Sequence, residues 1–164
     1  FVFQDHRLLP WNTARENVAL ALRALGRNKS EARESASRWL EQVGLADYAG
    51  YYPGQLSGGM VQRVSIARAF AIEPQVILMD EPFSSLDTEM TDSLLAMLGE
   101  ILEEHHTTVV YVTHDIMEAL RLGNRLFTLS DGFLRETAIR DREAMLREYC
   151  SERLQAFTPF RAEQ

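Results

Sequence analysis

The chain has one cysteine, one lysine and no apolar run long enough to cross a bilayer, and each shortage closes off a class of protein. Cys150 alone cannot form an internal disulfide, which fits a reducing compartment and an inert helix residue. A membrane-spanning helix needs about 18 consecutive apolar residues, and neither that nor a signal peptide is visible, so any membrane role is expected to be peripheral. Positive charge is short as well: the formal net charge is -7, and the basic residues, all arginine but for Lys29, are scattered. A groove for a phosphate backbone needs a basic patch, so no nucleic-acid partner is expected. Internal repeats, low-complexity segments and long linkers are absent too. What remains is 164 residues, 46% hydrophobic and 25% charged, enough for one domain burying roughly 70% of its unfolded surface.

The richest stretch is residues 56 to 87, where a glycine-rich helix start, a helix, an apolar strand and an acidic strand end follow in one run. Val76-Ile77-Leu78-Met79 lacks alternation and lies between Pro74 and Pro82, which predicts a strand covered on both faces of a parallel sheet. It ends in Asp80-Glu81, two carboxylates where ligands of open α/β sheets collect and where oxygen ligands suit Mg²⁺. Two ionised groups so close repel without a cation, which ties that reading to the metal. Ser57 is a good N-cap, and Gly58-Gly59 follow at helical positions where glycine is costly. Close approach of the free N–H groups to a phosphate is a reason for them. Val109-Val110-Tyr111-Val112 predicts a second buried strand, with His114 beyond its C-terminal end on the same rim as Asp80-Glu81. Thr13 to Glu16 has the form of a capping box, opening a helix with Val18, Ala21, Leu22 and Leu25 on one face and Gly26 as its stop. A second helix is expected from Ser30, carrying Ala32, Ala36, Leu40 and Val43 inward, to Gly44. Tyr48, Tyr51 and Tyr52 read as tyrosines packed over a loop, a partner contact being the other option. A short helix over 115–122, a hairpin around Asp131-Gly132 and an amphipathic tail with Met145, Leu146, Tyr149, Leu154 and Phe157 complete the chain.

In order and spacing, LSGGM, Asp80-Glu81-Pro82, Ser84-Ser85-Leu86-Asp87 and His114, with Gln4 ahead of them, resemble the signature, Walker B, D-loop, H-loop and Q-loop of ABC-type ATPases. The resemblance runs from Phe1 to about residue 136 and fades in the tail. It implies an α/β, P-loop NTPase-like fold, a mostly parallel sheet with an inserted helical subdomain, here lacking the P-loop strand. Residues 1–164 then form a partial ATPase domain: 10–72 the helical signature subdomain, 73–139 the Walker B and H-loop part of the core, 140–164 a C-terminal helical tail. The resemblance makes Glu81 the base for the attacking water, Asp80 the metal ligand, and Gln4 a residue reaching both metal and water. It makes His114 the switch that contacts the γ-phosphate. Ser57, Gly58 and Gly59 would grip the nucleotide of the other protomer, and Asp87, besides capping a helix, would cross the dimer interface. Met60 departs from the commoner glutamine, which leaves the backbone argument intact. ATP and Mg²⁺ are the implied ligands. The implied partners are a second ATPase protomer in a homodimer, a transmembrane permease subunit and, indirectly, a periplasmic or surface substrate-binding protein, at the cytoplasmic face of the inner membrane. Leu8-Leu9-Pro10-Trp11 followed by Glu16-Asn17-Val18 is similar to importer ATPases for nitrate, sulfonates or taurine. A soluble ATPase of DNA maintenance is the alternative, but it lacks support from coiled-coil heptads or a basic stripe; a non-catalytic fragment is another.

A P-loop needs Gly-x-x-x-x-Gly-Lys-Ser/Thr. Lys29-Ser30 resembles its end, but Arg23 and Asn28 hold the two glycine positions and helices flank it. The chain opens at Phe1, in what reads as the last turns of a strand, so an upstream part is expected to be missing. By itself the chain is expected to be inactive, and the Val109 to Val112 strand to expose backbone and apolar groups for want of a neighbour.

Overall fold

A computed structural model describes residues 1–105, 107–139, 141–142 and 144–147, which fall into two units, Phe1–His114 and Asp115–Gln164. In the first unit, α1 (Ala14–Ala24), α2 (Lys29–Gln42) and α3 (Gly58–Phe70) pack on one another. Thr13 closes a capping box at α1: its hydroxyl accepts from the Glu16 N–H, and the Glu16 carboxylate accepts from the Thr13 N–H at 2.9 Å. That backbone donor, helped by the hydroxyl, holds the Glu16 carboxyl below its ordinary range. Asn28 repeats the arrangement with Glu31, so α2 starts one residue before Ser30. Gly26 and Gly44 end the two helices at φ 86° and 73°, a conformation open to residues without a β-carbon. Val18, Leu22, Ala32, Ala36, Leu40 and Val43 are buried as expected, and Trp39 joins them. Leu25 does not: it is the C-cap of α1, past the last full turn, and is 64% exposed.

The sheet of this unit is parallel. β1 (Val76–Asp80) and β2 (Thr108–Val112) are joined through α4 (Thr88–Glu104), with Leu78 beside Val110 and Asp80 beside Val112. On the other side of β1, Val2 bridges in parallel: its N–H donates to the Leu78 carbonyl at 2.8 Å, and its carbonyl accepts from the Asp80 N–H at 3.0 Å. Neither strand is covered on both faces, which corrects the expectation of full cover from their apolar runs and agrees with the expectation that the Val109 to Val112 strand exposes apolar groups. Ile77 and Met79 are each 1% exposed, but Val76 (55%) and Leu78 (42%) are bare, and so are Val110 and Val112 on the same face. Side chains alternate across a pleat, so a strand with a single buried face shows this period of two whatever its composition. An unbroken apolar run specifies two faces that can be covered, and the described residues cover one.

The second unit contains α5 (Ile116–Leu122), capped by Asp115, and a hairpin of β3 (Leu126–Ser130) and β4 (Phe133–Thr137). Asp131 and Gly132 turn it at φ 52° and 79°, the paired positive values of a type I′ turn. Met145 and Leu146 lie in a helical stretch, the Met145 N–H donating to the Asp141 carbonyl at 3.0 Å. The expectations for Tyr149, Cys150, Leu154 and Phe157 lie outside the described residues.

Candidate active site

Three parallel segments bring their C-terminal ends to one rim. Gln4 stands two residues beyond Val2, Asp80 and Glu81 end β1, and His114 stands two residues beyond Val112. Pairing in one direction makes the ends coincide, which is how positions 4, 80, 81 and 114 come together. Gln4, Asp80 and His114 are exposed there, and Glu81 is partly so.

Glu81 is held firmly. Its N–H donates to the Val112 carbonyl at 2.8 Å, extending the ladder by one bond. Its backbone sits at φ 43°, in the left-handed region that costs a residue with a β-carbon on the order of 1 kcal/mol. Its carbonyl then accepts from the Ser84 N–H and hydroxyl at 3.3 and 3.1 Å, turning the following loop back beneath it. The result is that the side chain leaves the sheet toward β2, where its Oε1 lies 3.3 Å from Nδ1 of His114. A histidine nitrogen bearing a proton donates to the carboxylate at that distance, and the other ring nitrogen remains available.

The glycine-rich helix start assembles against a second stretch. Ser57 caps α3 by accepting from the Met60 N–H at 3.3 Å, which leaves the Gly58 N–H without a partner among the described residues. A β-carbon on Gly58 would touch only Leu86, at an ordinary 3.4 Å. One on Gly59 would run into the end of the Met90 side chain of α4. Gly59 thus lies against a flexible side chain that a β-carbon would have to displace, a contact the sequence does not signal, while Gly58 keeps its backbone open to an anion. Asp87 caps α4, accepting from the Met90 N–H at 2.9 Å.

The residues fit the implied ligands in part. Among the described residues no three of His, Cys, Asp and Glu cluster as a metal cage. Mg²⁺ takes one or two carboxylates and fills its shell from substrate phosphates and water, so Asp80 with Glu81 suits it. A lysine for the phosphates does not fit: Lys29 is the exposed first residue of α2, behind the Asn28 cap. Near the other end of the helical layer, Trp11 is 70% exposed and Tyr48, Tyr51 and Tyr52 are each about half exposed, with Tyr48 and Tyr51 edge to face.

Comparison with known proteins places the sequence and the fold among known families. Residues 1–84 match the ABC transporter family. The bicarbonate transport ATP-binding protein of Synechocystis sp. is 50% identical over 133 residues, 80% of this chain and 47% of its own length. The nitrate import ATP-binding protein of Synechococcus elongatus is 47% identical, over 80% of this chain and 48% of its own. The chain thus spans about half the length of these relatives. Among solved structures, a dimeric ATP-binding cassette in a post-hydrolysis state bound to ADP and Pi superimposes with a TM-score of 0.73 at 41% identity, over 86% of this chain and 62% of that one. The family match over residues 1–84 and the likeness to a solved cassette lead to one conclusion: the chain belongs to the ABC transporter family.

Proposed function

We propose that this chain is the signature and Walker B part of an ATP-hydrolysing subunit that powers solute import through a membrane permease. The observation that carries it is the Glu81 to His114 contact at the end of the parallel strands, with Asp80 and Gln4 on the same rim. Glu81 takes the proton of the attacking water. His114 fixes the carboxylate through Nδ1 and presents its other nitrogen toward the transferred phosphate. Asp80 and Gln4 would hold Mg²⁺, which would supply Lewis acidity at the phosphate oxygens. Ser57, Gly58 and Gly59 serve the nucleotide of a second protomer through backbone N–H groups, and Asp87 faces the same partner. Trp11 and the three tyrosines form the surface for the permease. The relatives' names include bicarbonate, nitrate, sulfate and sulfonate systems beside glycine betaine ones, which supports import of a small solute with an oxyanion favoured, and the permease and its substrate-binding protein would choose which one. The subunit would work at the cytoplasmic face of the inner membrane.

The 164-residue chain by itself is expected to show no turnover, since it offers no lysine to the phosphates. The test is therefore made after joining ahead of Phe1 a relative's segment that carries Gly-x-x-x-x-Gly-Lys-Ser/Thr. Glu81→Gln in that protein is expected to keep ATP binding and lower kcat by about 100-fold or more. Hydrolysis persisting at the parent rate would remove Glu81 from the role of base.

A further inference from the structure

Arg68 lies three turns along α3 from the glycine-rich start and makes an unusual choice of partners. Its guanidinium donates from Nη1 to the Arg7 carbonyl at 2.9 Å and from Nη2 to the His6 carbonyl at 2.7 Å, and it makes no ion pair among the described residues. It is half-buried, and burial pushes its pKa down from the ordinary arginine value. A charge withdrawn from water onto two main-chain oxygens is an expensive way to hold a loop unless the loop's position matters.

That loop carries Gln4. Val2 fixes its entry to β1, and Arg7 closes it, with its guanidinium carbon 3.9 Å from the centre of the Phe3 ring and its backbone at φ 47°. Gln4 and Asp5 stand exposed at the tip between these points. Among the hydrogen bonds of the described residues, those of Arg68 join this closed turn to α3, through the fork geometry that only arginine offers.

We infer that Arg68 is a positioning residue for Gln4, tying the turn that presents it to the helix that begins at Ser57-Gly58-Gly59. A displacement of α3 is then delivered to His6 and Arg7, and through them to Gln4 beside Asp80 and Glu81. The inference rests on the functional reading above for its consequence, but its geometry can be tested without it.

Trypsin supplies the test, because the carbonyl of Arg7 that Arg68 holds is the scissile one. In the wild-type chain, release of the peptide from Phe1 to Arg7 is expected to be slow. Arg68→Met should speed that cut at least tenfold while cuts at Arg33 and Arg38 in α2 keep their wild-type rates; Arg68→Lys, which keeps the charge but not the fork, should fall between. If Arg68→Met unfolds the chain, the lysine variant decides alone. Cleavage after Arg7 within twofold of wild type in the folded variants, or a rise no larger than that in α2, would overturn the tie. In the joined ATPase, Arg68→Met should lower kcat about tenfold with KM for ATP unchanged, Arg68→Lys recovering part of the loss. Loosened cleavage with an unchanged kcat would overturn the positioning role alone. Failure of Glu81→Gln to stop turnover would overturn the functional reading and leave the tie standing.

Discussion

Two buried amides show how differently the same chemical group can stand in one small domain. Asn17 is fully buried and fully used: its Oδ1 accepts from the Leu9 N–H at 2.7 Å, and its Nδ2 donates to the carbonyls of Leu9, Asn12 and Thr13, each at 3.1 Å. It stitches the segment after Gln4 to α1. Gln62, equally buried in α3, has neither its Oε1 nor its Nε2 paired with another described residue. Opposite outcomes follow. Asn17→Ala should cost about 2–3 kcal/mol in urea unfolding, since it strands a buried N–H and several carbonyls. Gln62→Met, close in volume and apolar, should stay within about 1 kcal/mol of wild type or exceed it. A larger loss at Gln62 than at Asn17 would reverse this account. Neither role is written in the residue type: a polar residue on a helix says nothing about which carbonyls will surround it. The same holds for Gly59, whose spacing from Ser57 was legible and whose contact with Met90 was not.

At the scale of elements, what was legible is what depends on neighbours in the chain. The capping box at Thr13, the glycine ends of α1 and α2, the strand ending in Asp80 and the turn at Asp131-Gly132 all follow from contacts within a few residues. Asn28 stands at the same spacing from Glu31 as Thr13 from Glu16, so the start of α2 one residue before Ser30 rests on a local signal that the expectation of Ser30 passed over. Element α1 also carries a pH signature. The Glu16 carboxyl is shifted below its ordinary value near 4.5, first by the Thr13 N–H. A carboxyl lowered by folding stabilises fully above its unfolded value, and that contribution disappears as pH falls through the folded one. Thr13→Ala should cost about 1 kcal/mol at neutral pH. Glu16→Gln should flatten part of the fall in stability between about pH 5 and pH 3. An unchanged acid branch in that variant would take Glu16 out of the explanation.

For the molecule as a whole, the rim was legible, and the sheet's surroundings were legible at β2 alone, whose exposure was expected, and not at β1. Motif order placed Gln4, Asp80, Glu81 and His114 on one edge because parallel strands leave little choice. Which faces other layers cover is decided by residues far away in the chain, and Val76, Leu78, Val110 and Val112 ended bare. Among the described residues β2 also pairs on one side only, so apolar face and free edge adjoin. The 164-residue chain should therefore self-associate as its concentration rises, measured by light scattering after gel filtration. Leu78→Lys with Val110→Glu, opposite charges on register partners, should restore a single small species; a wild-type chain that is already monodisperse would contradict this. The bridge between Val2 and Met79 has a further consequence, for the order of assembly. Its two partners are separated by all three packed helices. Closing so long a loop is cheaper once the intervening chain has folded into a short span. The helical layer, whose contacts are local, is then expected to form first, and the strand that delivers Gln4 to dock last, so the rim acquires its N-terminal member only after everything else in that unit is in place.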